Sequence, residues 1–105
     1  MKYYSTNKQV PLSTLKDAVL KGLADDNGLY MPERIPQLDK SFFENMRSMT
    51  FQEVACTVAK TLFGEDIEEG ALKDIVYGAL DFKIPLVKVT DKVYSLELFH
   101  GPTMA

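Results

Sequence analysis

The stretch from Thr50 to Gly64 constrains the fold more than any other part of the chain. Thr50 and Glu53 have the spacing of a capping box, in which side chain and backbone satisfy each other at a helix start. Phe51, Val54, Ala55, Val58, Ala59 and Leu62 then recur at helical spacing, so the spacing predicts an amphipathic helix. Gly64 is placed to close it as a left-handed C-terminal residue. A helix with one apolar face has to bury that face against another element. The rest of the chain must therefore supply partners.

Three further helices are predicted. Thr14 and Asp17 resemble a capping box with Asp in place of Glu, and Leu15, Ala18, Val19 and Leu23 follow on one face, with Gly22 placed to end the helix. Ser41 and Glu44 frame a short helix carrying Phe42, Phe43 and Met46. Glu65, Asp66, Glu68 and Glu69 favour a helix N-terminus, where negative charge meets the backbone dipole. The face that follows is Leu72, Ile75, Val76, Ala79 and Leu80. Strand signals are fewer. Leu86–Val89 and Val93–Leu98 flank Thr90-Asp91-Lys92, which predicts a hairpin. Tyr3-Tyr4 and Leu29-Tyr30-Met31 are candidate short strands, the second limited by Pro32, which donates no ladder hydrogen bond. Asp25-Asp26-Asn27-Gly28 is a turn signal. The fold class expected is α+β, mostly α. Composition shifts near Lys83-Ile84-Pro85, so residues 1–82 are expected to form one helical domain and 83–105 the beginning of another.

A chain of 105 residues with a hydrophobic share of 46% has material for one core. The net charge is −3 and no Lys/Arg block stands out, so no nucleic-acid partner is expected. No segment approaches the ~20 apolar residues that span a bilayer, and the first residues contain no apolar run of signal-peptide length. No membrane partner is expected. The single cysteine, Cys56, forms no internal disulfide and reads as a small packed side chain, in keeping with a reducing cytoplasm. The acidic clusters read as turns and helix starts rather than as metal ligands.

Periodicity carries the reading no further than this. Three segments carry it on: Tyr4-Ser5-Thr6; Lys21-Gly22-Leu23-Ala24 with Asp26-Asn27-Gly28-Leu29-Tyr30-Met31-Pro32; and Ser95-Leu96-Glu97-Leu98-Phe99-His100-Gly101-Pro102-Thr103-Met104-Ala105. In this order and spacing they resemble the N-terminal portion of threonine synthases, over nearly the whole chain. The last segment is the most specific. Asn27 stands where many members of that family have glycine, and asparagine is the residue that best tolerates a left-handed backbone after glycine.

The resemblance implies that residues 83–105 open a pyridoxal-phosphate-dependent catalytic domain of fold type II. The coenzyme lysine is then expected two residues after Ala105, so no catalytic residue lies in this chain. It implies a longer parent that converts O-phosphohomoserine and water to threonine and phosphate with pyridoxal phosphate. This chain alone is expected to hold no coenzyme and to be inactive, with the remainder of the same polypeptide as its partner. His100, Gly101 and Thr103 are placed near substrate or coenzyme, and Asn27 is a candidate for a minor role. Two readings of His100 stand: a hydrogen-bond donor to substrate or coenzyme, or a brace for Pro102. Thr103 is either a phosphate contact or an N-cap for a following helix. A threonine synthase-like phospholyase and a non-catalytic interaction module are the alternatives. Unpaired edges at the Val93–Phe99 strand are expected to fray or to swap between copies.

Overall fold

Thr50 and Glu53 make the reciprocal cap that their spacing predicts: the Glu53 N–H donates to Thr50 Oγ1 at 3.2 Å, and the Thr50 N–H donates to Glu53 Oε2 at 2.7 Å. The structure, a computed structural model, describes residues 1–102. It is α+β. In chain order the elements are β1 (Tyr3–Ser5), α1 (Leu15–Lys21), β2 (Tyr30–Pro32), α2 (Lys40–Asn45), a 3-10 turn (Met46–Ser48), α3 (Phe51–Phe63), α4 (Glu69–Ala79), β3 (Leu86–Thr90) and β4 (Val93–Leu96).

Helices α3 and α4 pack as an antiparallel pair. Gln52 at the start of α3 donates to the Leu80 carbonyl just past α4, and Lys60 near its end pairs with Glu69 at the start of α4. Leu72 and Val76 are the buried residues of α4, whereas Ile75 is 56% exposed. Glu68 caps α4 by accepting from the Gly70 and Ala71 N–H groups, and those two bonds hold its carboxyl below the usual range. Glu65 and Asp66 lie outside the helix. Both pair with the Met1 ammonium, and Glu65 also takes the Arg34 guanidinium.

Gly64 does not adopt the left-handed conformation expected of it. Its φ is −66°, because the chain runs straight into a tight turn in which Asp66 and Ile67 N–H groups bond the Phe63 carbonyl. Helix α1 starts at Thr14 as predicted, but it ends at Gly22 (φ 73°), which puts Leu23 beyond it. Leu23 instead bridges Leu29, and Leu29 lies outside β2. Leu15 and Ala18 are buried while Val19 is 71% exposed, since the core touches only one edge of this short helix. The Ser41–Glu44 box is not formed. The helix begins at Lys40, capped at Asp39 without a side-chain bond, so Ser41 is already inside the first turn and Glu44 pairs with Lys40.

Strands β1 and β2 pair antiparallel, with Tyr3 opposite Pro32 and Ser5 opposite Tyr30. Pro32 is tolerated because it is the last residue of a two-stranded sheet. Tyr3, Leu15 and Ala18 form the core here, with Met1, Tyr30, Phe63 and Ile67 packed against it. Phe63 and Ile67 thereby tie the small sheet to the junction of α3 and α4.

The hairpin of β3 and β4 stands apart. Leu86 lies opposite Leu96 and Thr90 opposite Val93, with an irregularity between Lys88 and Thr90. Every residue of both strands is exposed, including Leu86, Val87, Val89, Val93, Tyr94 and Leu96. The strand predicted to run to Leu98 stops at Leu96, because among the described residues no further strand lies beside it to accept a ladder. The radius of gyration is 16.6 Å, against about 13 Å for a compact chain of this size. No helix among the described residues is long and apolar enough to cross a membrane.

Candidate functional site

The segment after β4 is held at three points. The Glu97 N–H donates to the Pro85 carbonyl at 3.0 Å, which pins the segment to the entry of β3. His100 Nε2 lies 2.7 Å from Glu97 Oε2. Gly101 passes so close to Phe82 that a Cβ there would sit 2.6 Å from the ring, so only glycine fits without moving the ring. Phe82 in turn meets Phe51 edge to face, with centroids 6.5 Å apart. Phe51 and Phe82, with Ile84, Pro85, Leu96 and Leu98, line an open apolar cleft of about 710 Å³ under the hairpin. The His100 ring also lies against Phe99, with centroids 4.5 Å apart. Thr103 lies outside the described residues.

Asn27 occupies a second polar constellation. Its φ is 63°, the left-handed value that asparagine tolerates. The neighbouring Asp26 carboxylate accepts from the Ser5 hydroxyl, the Gln9 N–H and the Gly28 N–H. The Asn7 side chain donates to the Asp26 carbonyl, and the Leu29 N–H donates to Thr6 Oγ1. This knot joins the end of β1 to the turn before β2. Among the described residues no hydrogen bond joins Asn27 to the His100 segment, so the two candidate regions belong to separate parts of the chain.

Lys21 pairs with Asp25, Arg34 with Glu65, Lys40 with Glu44, Lys60 with Glu69 and Lys88 with Asp91. Each of these five positive charges is answered locally by a carboxylate. Among the described residues no three His, Cys, Asp or Glu side chains converge as metal ligands. Cys56 is half-buried and lines a separate cleft between α3 and α4 with Lys60, Leu72 and Tyr77.

Comparison with known proteins decides the family. The family described as threonine synthase N terminus matches residues 2–80. The chain belongs to that family. It is 33% identical to the threonine synthase of Serratia marcescens over 105 residues and 36% identical to that of Pseudomonas aeruginosa over 110, in each case with the whole chain aligned to 24% of the relative. The crystal structure of threonine synthase from Escherichia coli superposes with a TM-score of 0.84 at 29% identity, covering 98% of this chain and 24% of that one. The pyridoxal-phosphate-bound threonine synthase from Brucella melitensis gives 0.80 at 36% identity, covering 97% and 23%. The chain thus spans about a quarter of the length of the threonine synthases it matches.

For a threonine synthase N-terminal domain, sequence reasoning singled out His100, Gly101 and Asn27 but missed what each one rests on. Glu97 belongs both to the strand expected over Val93–Leu98 and to the segment that carries the resemblance, with no role expected of its side chain. Its spacing of three from His100 was the available signal. The Ser5–Asp26 bond had no signal, since the two residues are 21 positions apart and meet only because β1 pairs beside the turn.

Proposed function

We propose that this chain is the N-terminal domain and the first strands of the catalytic domain of a pyridoxal-phosphate-dependent threonine synthase. The longer protein converts O-phosphohomoserine and water to threonine and phosphate in the cytoplasm, as a step in threonine biosynthesis. The observation that carries this reading is the alignment of the whole chain, from its first residue to its last, with threonine synthases. Residues 1–82 form the domain that closes one side of the cleft, and 83–105 enter the fold type II catalytic domain. The coenzyme is held by the rest of the longer protein, and this chain alone is inactive.

This chain's own contribution is steric and electrostatic. Gly101 and Pro102 direct the segment that follows β4, and His100 supplies a polar ring at its turn. Expelling phosphate from a dianionic substrate calls for hydrogen-bond donors held in place before the reaction begins. His100, with Thr103 beyond it, is offered for that task. Asn27, in the turn fixed by Asp26, is offered for a minor role toward substrate.

The test is turnover of O-phosphohomoserine by the longer protein, with threonine and phosphate measured separately. Both products are expected. Phosphate without threonine would favour a phospholyase acting on a related substrate. His100→Ala is expected to cost on the order of 100-fold in turnover and to change stability by less than about 0.5 kcal/mol. Wild-type turnover with a lowered melting temperature would make His100 a structural brace. The 105-residue chain alone, mixed with pyridoxal phosphate, is expected to give no saturable absorption band that survives dialysis.

A further inference from the structure

We infer that Glu97 is a positioning residue for His100: it ties down one ring nitrogen so that the other is the one presented to substrate. The inference rests on the reading of His100 given above and extends it to a residue that reading does not use. His100 Nε2 and Glu97 Oε2 are 2.7 Å apart. A carboxylate only accepts, so the proton of this bond belongs to Nε2. Nδ1 is then the nitrogen left to meet another group. To donate to the substrate phosphate, as the proposed function asks, the ring must carry both protons, and Nδ1–H is then the donor it presents.

The carboxylate is itself held. The Glu97 N–H is bonded to the Pro85 carbonyl, so the backbone that carries the carboxylate is anchored at the base of the hairpin. The Glu97 side chain is 25% exposed and the His100 side chain 38%, so the acid is the more enclosed member and the ring the more accessible one. Phe99 lies against the ring, and Gly101 is pressed on Phe82 directly after it. A surface ion pair between two mobile side chains does little. Here three of the four consecutive residues after Leu98, together with Glu97, have a partner that limits where the imidazole goes. That is the arrangement in which an outer carboxylate sets the orientation and tautomer of a working histidine.

The test has two arms. His100 is the only histidine, so its imidazole nitrogens give a single set of NMR signals in the full 105-residue chain. A hydrogen-bonded Nε2–H resonance is expected in the wild type and its loss in Glu97→Ala. Glu97→Gln keeps an oxygen acceptor and is expected to retain it in part. Absence of that resonance in the wild type would overturn the inference. The second arm is a double-mutant cycle in the longer protein turning over O-phosphohomoserine. Carboxylates that orient a metal-bound imidazole are worth roughly 10- to 100-fold, and the same orienting task is asked of Glu97 here. Glu97→Ala is therefore expected to lower kcat about 10-fold or more with little change in KM, and Glu97→Gln to lower it less. In a His100→Ala background the same change is expected to cost nothing further, because a residue that acts only through another has no effect once that one is gone. Equal losses in both backgrounds would show that Glu97 acts by another route. Full turnover in Glu97→Ala, with turnover lost in His100→Ala, sinks this inference alone. Full turnover in His100→Ala sinks the reading of the segment itself, and this inference with it.

Discussion

The Ser5 hydroxyl donates a 2.5 Å hydrogen bond to Asp26 Oδ1, joining the end of the first strand to the turn before the second. Ser5 is 0% exposed and its hydroxyl oxygen also accepts from the Asn7 N–H, whereas the Asp26 carboxylate is only half-buried. Ser5→Ala is expected to cost about 1–3 kcal/mol, the range for losing a hydrogen bond to a charged group. A thermal melt checks it, and an unchanged midpoint would show that the knot is not part of the stable core.

Asp26 gives the same knot a pH dependence. The bond from Ser5, then those from the Gln9 and Gly28 N–H groups, hold its carboxyl below the ordinary aspartate range despite some desolvation. The folded carboxyl is therefore the stronger acid, and the unfolded chain binds more protons as the medium acidifies. This contribution is complete above the ordinary value of about 3.9 and disappears as pH falls through the depressed one. Acid unfolding of Asp26→Asn should start from a lower stability at neutral pH and fall less steeply on the acid side than the wild type. Parallel acid limbs would show that Asp26 is not among the groups that drive it.

Asn27 and Gly28 separate two kinds of backbone demand. Asn27 sits at φ 63°, so the requirement there is conformational. Asn27→Gly is expected to be close to neutral, and Asn27→Ala to cost about 1 kcal/mol, because alanine keeps a Cβ in the left-handed region without the polar side chain that lets asparagine tolerate it. Gly28 is a matter of space: a Cβ would lie 1.9 Å from Ser5 Oγ and 2.9 Å from the Asn7 nitrogen. Gly28→Ala should cost about 1–3 kcal/mol, as overpacking does. The three melting temperatures should fall in the order Asn27→Gly, Asn27→Ala, Gly28→Ala, and a Gly28→Ala protein as stable as the wild type would mean the knot yields easily.

The hairpin is expected to be the least protected regular element of this chain. A lone two-stranded hairpin is marginal in water, and both of its strands are exposed along their whole length. Amide exchange at Val93–Leu96 in a dilute monomer should be far faster than in the middle of α3. At higher concentration the free edges are expected to pair between copies, which slows that exchange. Protection equal to that of α3 at high dilution would show that the hairpin needs no neighbour.

The sequence by itself determined the helix starts at Thr14 and Thr50, the left-handed turn at Asn27 and the hairpin about Asp91-Lys92. Each is decided within a few residues, by a side chain meeting its own backbone or by a φ that only certain residues accept. It also carried the family resemblance, because the run from Glu97 to Pro102 is specific as a string. The tertiary structure decided the rest. Gly64 takes a right-handed conformation because Ile67 must come back onto the Tyr3 core, and Val19 stays in water because the small sheet touches only the Leu15–Ala18 edge of its helix. Ser5 finds Asp26, and the Glu97 amide finds Pro85, only once the strands have paired. Contacts of that kind depend on where distant segments are brought, and no spacing along the chain encodes that distance.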